Sequence, residues 1–240
     1  MGKYFIGIDV STTASKALLI DEQGVVVASQ SYPHDLSTPR PLWSEQDPEN
    51  WWLAASRSLR DVMQNIPADE VAAIGLTGQM HGLTSLNVQG KPIRPAILWN
   101  DQRSGTQCEA ITEKVGAQRV YQIIGSRLLA GFTAPKIMWL REHEPDVYQQ
   151  IAHVLLPKDY VRYRLSGTFV TDVAEGSGLG LMDIGARAYS DELLAAYDIP
   201  RAWLPELCES PDVCAHVSEA GAPEALERGI EREHASRRVV

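Results

Sequence analysis

The chain runs to 240 residues, 44% of them hydrophobic and 22% charged, the composition of a globular protein long enough to bury a sizeable core. Its formal net charge of −9 argues against nucleic acid as a partner, because a phosphate backbone demands a basic surface. An anionic nucleotide would then need local help from Mg²⁺, backbone N–H groups or a few placed cations. No segment approaches the roughly 18 consecutive apolar residues that a membrane span needs. Met1–Tyr4 leads straight into a strand-like run, without the charged leader, apolar stretch and small-residue cleavage site of a signal peptide. We therefore expect a cytoplasmic protein with no membrane partner. Cys108, Cys208 and Cys214 are odd in number and scattered, which favours reduced thiols over a disulfide framework. With no CxxC pair and dispersed histidines, structural zinc is not expected.

In chain order, Tyr4–Val10 is a short apolar run, the mark of a buried strand, and it stops at Ser11-Thr12-Thr13. Ala17–Ile20 and Val25–Ala28 flank Asp21-Glu22-Gln23-Gly24 and predict an antiparallel hairpin. Asp47 followed by Pro48 predicts a helix start: the carboxylate caps, and the proline takes the first position, where its missing N–H costs nothing. Trp52, Ala55, Leu59, Val62, Met63 and Ile66 recur at helical spacing as the buried face, and Pro67 closes the helix. Val71–Leu76, Leu83–Val88 and Ala96–Trp99 read as strands. From Gln102 to Tyr197 the pattern is mostly helical, with helices expected at Gly105–Val115, Pro135–His143, Asp146–Ile151 and Lys158–Leu165. Glu219–Val240 is weakly patterned and reads as frayed helix or disorder. The β-β-β-α-β opening fits an α/β fold of ribonuclease-H type, a mixed sheet followed by a largely helical part.

Two regions carry chemistry. In Ile6–Lys16 a carboxylate, Asp9, stands at a strand end, hydroxyl residues Ser11, Thr12 and Thr13 follow in a tight turn, and the cation Lys16 lies beyond. A carboxylate in that position can hold hydrated Mg²⁺, and turn N–H groups with Thr hydroxyls can steady a transferring phosphoryl group. Read by itself the segment is equally a plain hairpin with a polar turn. It also resembles the first phosphate loop of the sugar kinase, actin and Hsp70 superfamily, usually Asp-x-Gly-Thr-Thr, with Ser11 here where Gly is commonest.

The second region comprises Gly78-Gln79-Met80-His81-Gly82 and Trp99-Asn100-Asp101-Gln102-Arg103, each after a strand-like run. Polar side chains of these types fork hydrogen bonds onto paired hydroxyls, and an indole covers the apolar face of a sugar. The flanking glycines let a ligand approach the backbone. The bland alternative makes His81 and Trp99 satisfied core residues and Asp101 a helix N-cap.

Together these motifs resemble the FGGY family of carbohydrate kinases, in the style of its xylulokinases. Leu42–Pro48, the run Gly131–His143 containing Lys136 and Trp139, and Leu155–Tyr160 are similar to further family segments, so the resemblance spans Ile6 to Leu207. It implies a fold of the actin, Hsp70 and sugar kinase superfamily, with Mg²⁺ and ATP as cofactor and co-substrate. It implies that Asp9 holds Mg²⁺ through water, that Thr12 and Thr13 steady the phosphoryl group, and that Ser11, Thr12, Thr13 and Lys16 contact the nucleotide phosphates. Gln79, Met80, His81, Trp99, Asn100, Asp101 and Arg103 would line the ketose pocket. Lys136, Trp139 and the Lys158-Asp159 pair read as structural.

Family members are about twice as long, with the active site between two domains. The second domain typically opens with a Gly-rich turn carrying the general-base Asp and supplies most ATP contacts; Ser218-Glu219-Ala220-Gly221 is the nearest segment and lacks that Asp. The expectation is a sugar-binding N-terminal domain over residues 1–218, an atypical tail over 219–240, and no C-terminal ATP-binding domain. The complete enzyme would convert D-xylulose to D-xylulose 5-phosphate, while this chain would be largely inactive by itself. Ribulose, gluconate or another polyol as substrate, and a non-catalytic carbohydrate-binding half-kinase, stay open. The sequence does not fix oligomeric state, and a homodimer is one way such a chain could complete its site.

Overall fold

A computed structural model describes residues 3–221 and 238–239. Strands β1 (Tyr4–Val10), β2 (Ala14–Asp21) and β3 (Val26–Pro33) form an antiparallel meander, the expected hairpin with longer arms. The short β4 (Glu45–Gln46) precedes α1 (Pro48–Val62), and the chain returns as β5 (Val71–Gly78), parallel to β1. Asp47 Oδ1 accepts the Glu49 N–H at 2.9 Å and Pro48 opens the helix, as the sequence predicts. The helix ends at Val62 rather than running to Pro67.

Alternation explains the sheet. Ile6, Ile8 and Val10 on β1 and Ala17 and Leu19 on β2 are buried against Trp51, Trp52, Ala55, Leu59 and Val62 of α1. Each large side chain in that layer contributes about 1.5–3 kcal/mol by leaving water. The opposite face of β1 carries Phe5, Gly7 and Asp9, so Asp9 is turned away from the core by the period-2 pleat.

Part of the second half packs a second apolar cluster, while Tyr160, Val161, Leu165, Ala215 and Val239 join the first. The elements of this half are β6 (Thr84–Leu86), β7 (Ala96–Ile97), α2 (Gly105–Val115), α3 (Ala117–Ile124), α4 (Thr133–His143), the single turn α5 (Pro145–Tyr148), β8 (His153–Leu155) and α6 (Pro157–Ser166). They continue with β9 (Val170–Asp172), α7 (Val173–Gly176), β10 (Met182–Asp183), β11 (Ala188–Tyr189), α8 (Asp191–Tyr197), β12 (Glu206–Cys208), β13 (Ala215–His216) and β14 (Arg238–Val239). The four helices expected here are present, although Asp146–Ile151 is realised only as α5. Helix α3 is additional, delimited by Gly116 and Gly125 at positive φ.

Two expectations are corrected. Cys208 and Cys214 form a disulfide, and Cys108 is the buried free thiol. The turn after β12 brings the two Cα atoms to 6.1 Å, a proximity that cysteine number and scatter do not reveal. The reading of Glu219–Val240 as frayed or disordered falls mostly on residues 222–237 and 240, outside the described residues. Within it, however, Arg238–Val239 is a strand inserted between β13 and β5, giving the sheet order β13-β14-β5-β1-β2-β3, with Val239 buried. Its partners are remote in sequence, so local patterning carries no trace of it. Among the described residues no helix is long and apolar enough to cross a membrane.

Candidate active site

β1 and β5 end side by side, Asp9 beside Thr77 and Val10 beside Gly78, with Lys16 of β2 paired with Asp9 on the other side. The Asp9 carboxylate is half-buried and accepts the Ser11 hydroxyl at 2.6 Å, while Ser11 N–H donates to Ala14 O at 3.0 Å and closes the turn. Thr12 is half-buried; Thr13 and Lys16 are exposed. Gln79 N–H donates to Val10 O at 2.8 Å, so the second motif starts where the first ends.

The residues of the second motif separate by depth. Met80 is 54% exposed, whereas Gln79 is buried and its Nε2 donates to Gln46 Oε1 at 2.9 Å. His81 adopts φ 61°, a left-handed conformation that costs a non-glycine residue about 1 kcal/mol. Tertiary contacts hold it there: its carbonyl accepts Thr133 Oγ1 at 3.1 Å and Lys136 Nζ at 2.8 Å. Lys136 Nζ also donates to Gly131 O at 2.8 Å. Lys136 is fully buried, and that burial pushes its ammonium down to about 7.

The His81 ring packs 4.6 Å from Phe132, and Nδ1 donates to Gly178 O at 2.8 Å. A carbonyl only accepts, so the neutral ring carries its proton on Nδ1 and presents Nε2 as an acceptor. Burial lowers the His81 pKa and favours this neutral form. Gly178 is required for the approach, since a Cβ there would stand 2.5 Å from Nδ1.

The third motif divides in the same way. Trp99 is 44% exposed and Asn100 is exposed, so the reading of Trp99 as a core residue does not hold. Asp101 is fully buried: Oδ2 accepts Ser44 N–H and Arg103 Nη2, both at 2.7 Å, and Oδ1 accepts the Arg103 backbone N–H and Nε, both at 2.9 Å. It does not cap α2, whose N-cap is Ser104. Arg103 lies 3.6 Å over the Trp43 ring and pairs with Glu45 at 2.7 Å. Asp101 and Arg103 therefore face the protein interior, and Trp139 stacks in the same assembly, edge-on to Trp43 at 5.2 Å.

Two contacts unite the motifs. Trp99 Nε1 donates to Thr12 Oγ1 at 3.2 Å, across 87 residues of sequence. Beneath it, Gln46 Nε2 donates to Thr12 O at 2.6 Å. Asp9, Ser11, Thr12, Thr13, Lys16, Met80, His81, Trp99 and Asn100 thus lie along one accessible edge, over a buried layer of Gln46, Gln79, Asp101, Arg103 and Lys136. Gln46 and Gly178 were not read as site residues from the sequence. The one available signal for Gln46 was its polarity in an otherwise helix-initiating segment.

A buried charge cluster underlies the strand ends. Lys158 bridges Asp159 at 3.2 Å and Asp172, and Arg162 pairs with Asp159 at 3.2 Å. Asp172 caps α7 through Ala174 and Glu175 N–H groups, and accepts Ser210 Oγ at 3.0 Å. Burial raises the Glu175 carboxyl to about 7. The Lys158-Asp159 pair is part of this interior network, in keeping with a structural role.

Comparison with known proteins identifies the class. The family model described as the FGGY family of carbohydrate kinases, N-terminal domain, matches residues 4–230. The chain is 44% identical over 209 residues to the xylulose kinase of Escherichia coli (strain K12), covering 87% of this chain and 43% of that protein. The structure of the xylulose kinase from Rhodospirillum rubrum superposes with a TM-score of 0.91 at 27% identity, over 99% of this chain and 48% of the other. The gluconate kinase from Lactobacillus acidophilus superposes at 0.89 and 26% identity, over 99% and 47%. The chain belongs to the FGGY family of carbohydrate kinases and has its actin and Hsp70-like α/β fold. It spans less than half the length of these relatives.

Proposed function

We propose that this chain is the sugar-binding half of an ATP-dependent ketopentose kinase, which in complete form converts D-xylulose to D-xylulose 5-phosphate. Residues 1–218 act as the sugar-binding domain, 219–240 as an atypical tail, and an ATP-binding domain supplies the general base and most nucleotide contacts. The observation that carries this reading is the Trp99–Thr12 hydrogen bond, which makes the phosphate loop and the sugar motif one continuous edge. The similarity to xylulose kinases supports the choice of sugar.

Among the described residues no cluster of three or more His, Cys, Asp or Glu could enclose a metal ion. A single half-buried carboxylate, Asp9, beside hydroxyls suits Mg²⁺, which keeps most of its water and is shared with substrate phosphates. When bound with ATP, the ion neutralises phosphate charge. Asp9 would hold its hydration shell, and Ser11, Thr12, Thr13 and Lys16 would orient the phosphates. His81 Nε2 accepts a sugar hydroxyl, while Met80, Trp99 and Asn100 shape the pocket, with Trp99 covering the apolar side of the sugar. Gln79, Asp101 and Arg103 act from the buried layer.

The test is ADP release by the purified chain with Mg-ATP, with and without D-xylulose, alongside calorimetric titration with D-xylulose. Binding without sugar-dependent ADP supports the separated half. Sugar-dependent ADP would mean that the chain completes its own site, for instance as a homodimer. A specific alternative is an acid-sugar substrate, favoured by the similarity to the gluconate kinase structure. Titration with D-gluconate and D-ribulose under the same conditions decides it.

A further inference from the structure

Gln46 is 2% exposed and precedes the cap of α1, yet its carboxamide touches four parts of the molecule. Oε1 accepts Trp51 Nε1 and Gln79 Nε2, both at 2.9 Å. Nε2 donates to Thr12 O at 2.6 Å and Asp35 O at 3.0 Å, and lies 3.1 Å from His34 Nδ1. An indole N–H can only donate, and the carbonyls of Thr12 and Asp35 can only accept. The orientation of the amide is therefore forced by its neighbours. No other natural side chain of this size offers a double acceptor at one end and a double donor at the other; glutamate and methionine each keep the length and lose the donors.

We propose that Gln46 is a positioning residue that couples the phosphate loop to the sugar motif. Through Thr12 O it sets the loop whose Oγ1 receives the exposed Trp99 indole. Through Gln79 it sets the strand end from which Met80 and His81 project. Loss of its donors displaces Thr12, and with it Trp99, whose indole is hydrogen-bonded to Thr12. This inference rests on the functional reading above only for its binding arm.

The experiment compares ¹H–¹⁵N spectra of the full 240-residue chain with those of Gln46→Glu and Gln46→Met. The Trp51 and Trp99 indole peaks are assigned through Trp51→Phe and Trp99→Phe, and D-xylulose is titrated into each protein. We expect the Trp99 indole peak to move in both Gln46 variants while the peaks of β2 and α2 stay in place, and the D-xylulose Kd to rise 5- to 10-fold. Gln46→Met carries no buried charge and serves if Gln46→Glu does not fold. A shift confined to Trp51, with Kd within twofold, overturns the proposal. If the unaltered chain binds no D-xylulose, the sugar assignment fails separately, and the Trp99 peak alone decides the coupling.

Discussion

The Trp99 indole donates to the Thr12 hydroxyl at 3.2 Å, so the exposed end of the third motif rests on the turn that follows β1. Neither partner is buried, and a hydrogen bond of this kind contributes only about 0.5–1.5 kcal/mol. Its value lies in position, since it holds an aromatic face beside the strand ends. Trp99→Phe keeps a ring but loses the donor. We expect a small fall in stability by thermal unfolding, and at least a fivefold weaker D-xylulose affinity by calorimetry.

Gly178 lets the His81 ring reach its carbonyl. In Gly178→Ala the added Cβ would stand 2.5 Å from Nδ1 and 2.8 Å from Cε1, so the ring must leave its seat. Overpacking of this type costs about 1–3 kcal/mol. Thermal unfolding should show that loss, and sugar binding should be abolished while far-UV circular dichroism is unchanged.

Lys136 holds two carbonyls, those of His81 and Gly131, from a fully buried position. Lys136→Met keeps the volume and removes every donor. The His81 carbonyl retains Thr133, but the carbonyl of half-buried Gly131 loses the Lys136 bond, and losing such a bond costs about 0.5–1.5 kcal/mol. Denaturant unfolding should register that cost, and sugar affinity should fall as His81 relaxes from positive φ.

Two titrating groups pull stability in opposite directions with pH. Burial lowers His81 below its usual 6.5, so its contribution is present above that pH and is lost as pH falls through the folded value. Burial raises Glu175 to about 7 from 4.5, so its contribution is present below 4.5 and is lost as pH rises through about 7. Glu175→Gln should therefore be more stable than the unaltered chain at pH 8, on the order of 1–3 kcal/mol, and nearly equal to it at pH 4. Urea melts at both pH values check this.

The disulfide predicts a thiol count. Without reductant the unfolded chain should react with Ellman's reagent at one thiol, Cys108, and after reduction at three, because Cys208 and Cys214 are paired. Three reactive thiols before reduction would contradict the pairing.

Local chemistry was legible in the sequence. The pleat of Tyr4–Val10, the Asp47-Pro48 start of α1 and its helical apolar stripe all follow from residue types at fixed spacing. So did the chemical kit of the candidate site, because carboxylate, hydroxyl, amide and imidazole groups carry their capacities wherever they sit. Depth and partnership were not legible. Asp101 and Arg103 resemble ligand-facing residues in the sequence, yet they spend their polar atoms on each other, Ser44 and Glu45. The strand Arg238–Val239 and the Cys208–Cys214 bridge depend on what the chain brings alongside, as does the part played by Gln46. The sequence determined what each segment could form and which chemistry it could offer. The tertiary structure alone decided which of those side chains face outward and which hold the others in place, because hydrogen bonds and burial are settled between residues far apart in the chain.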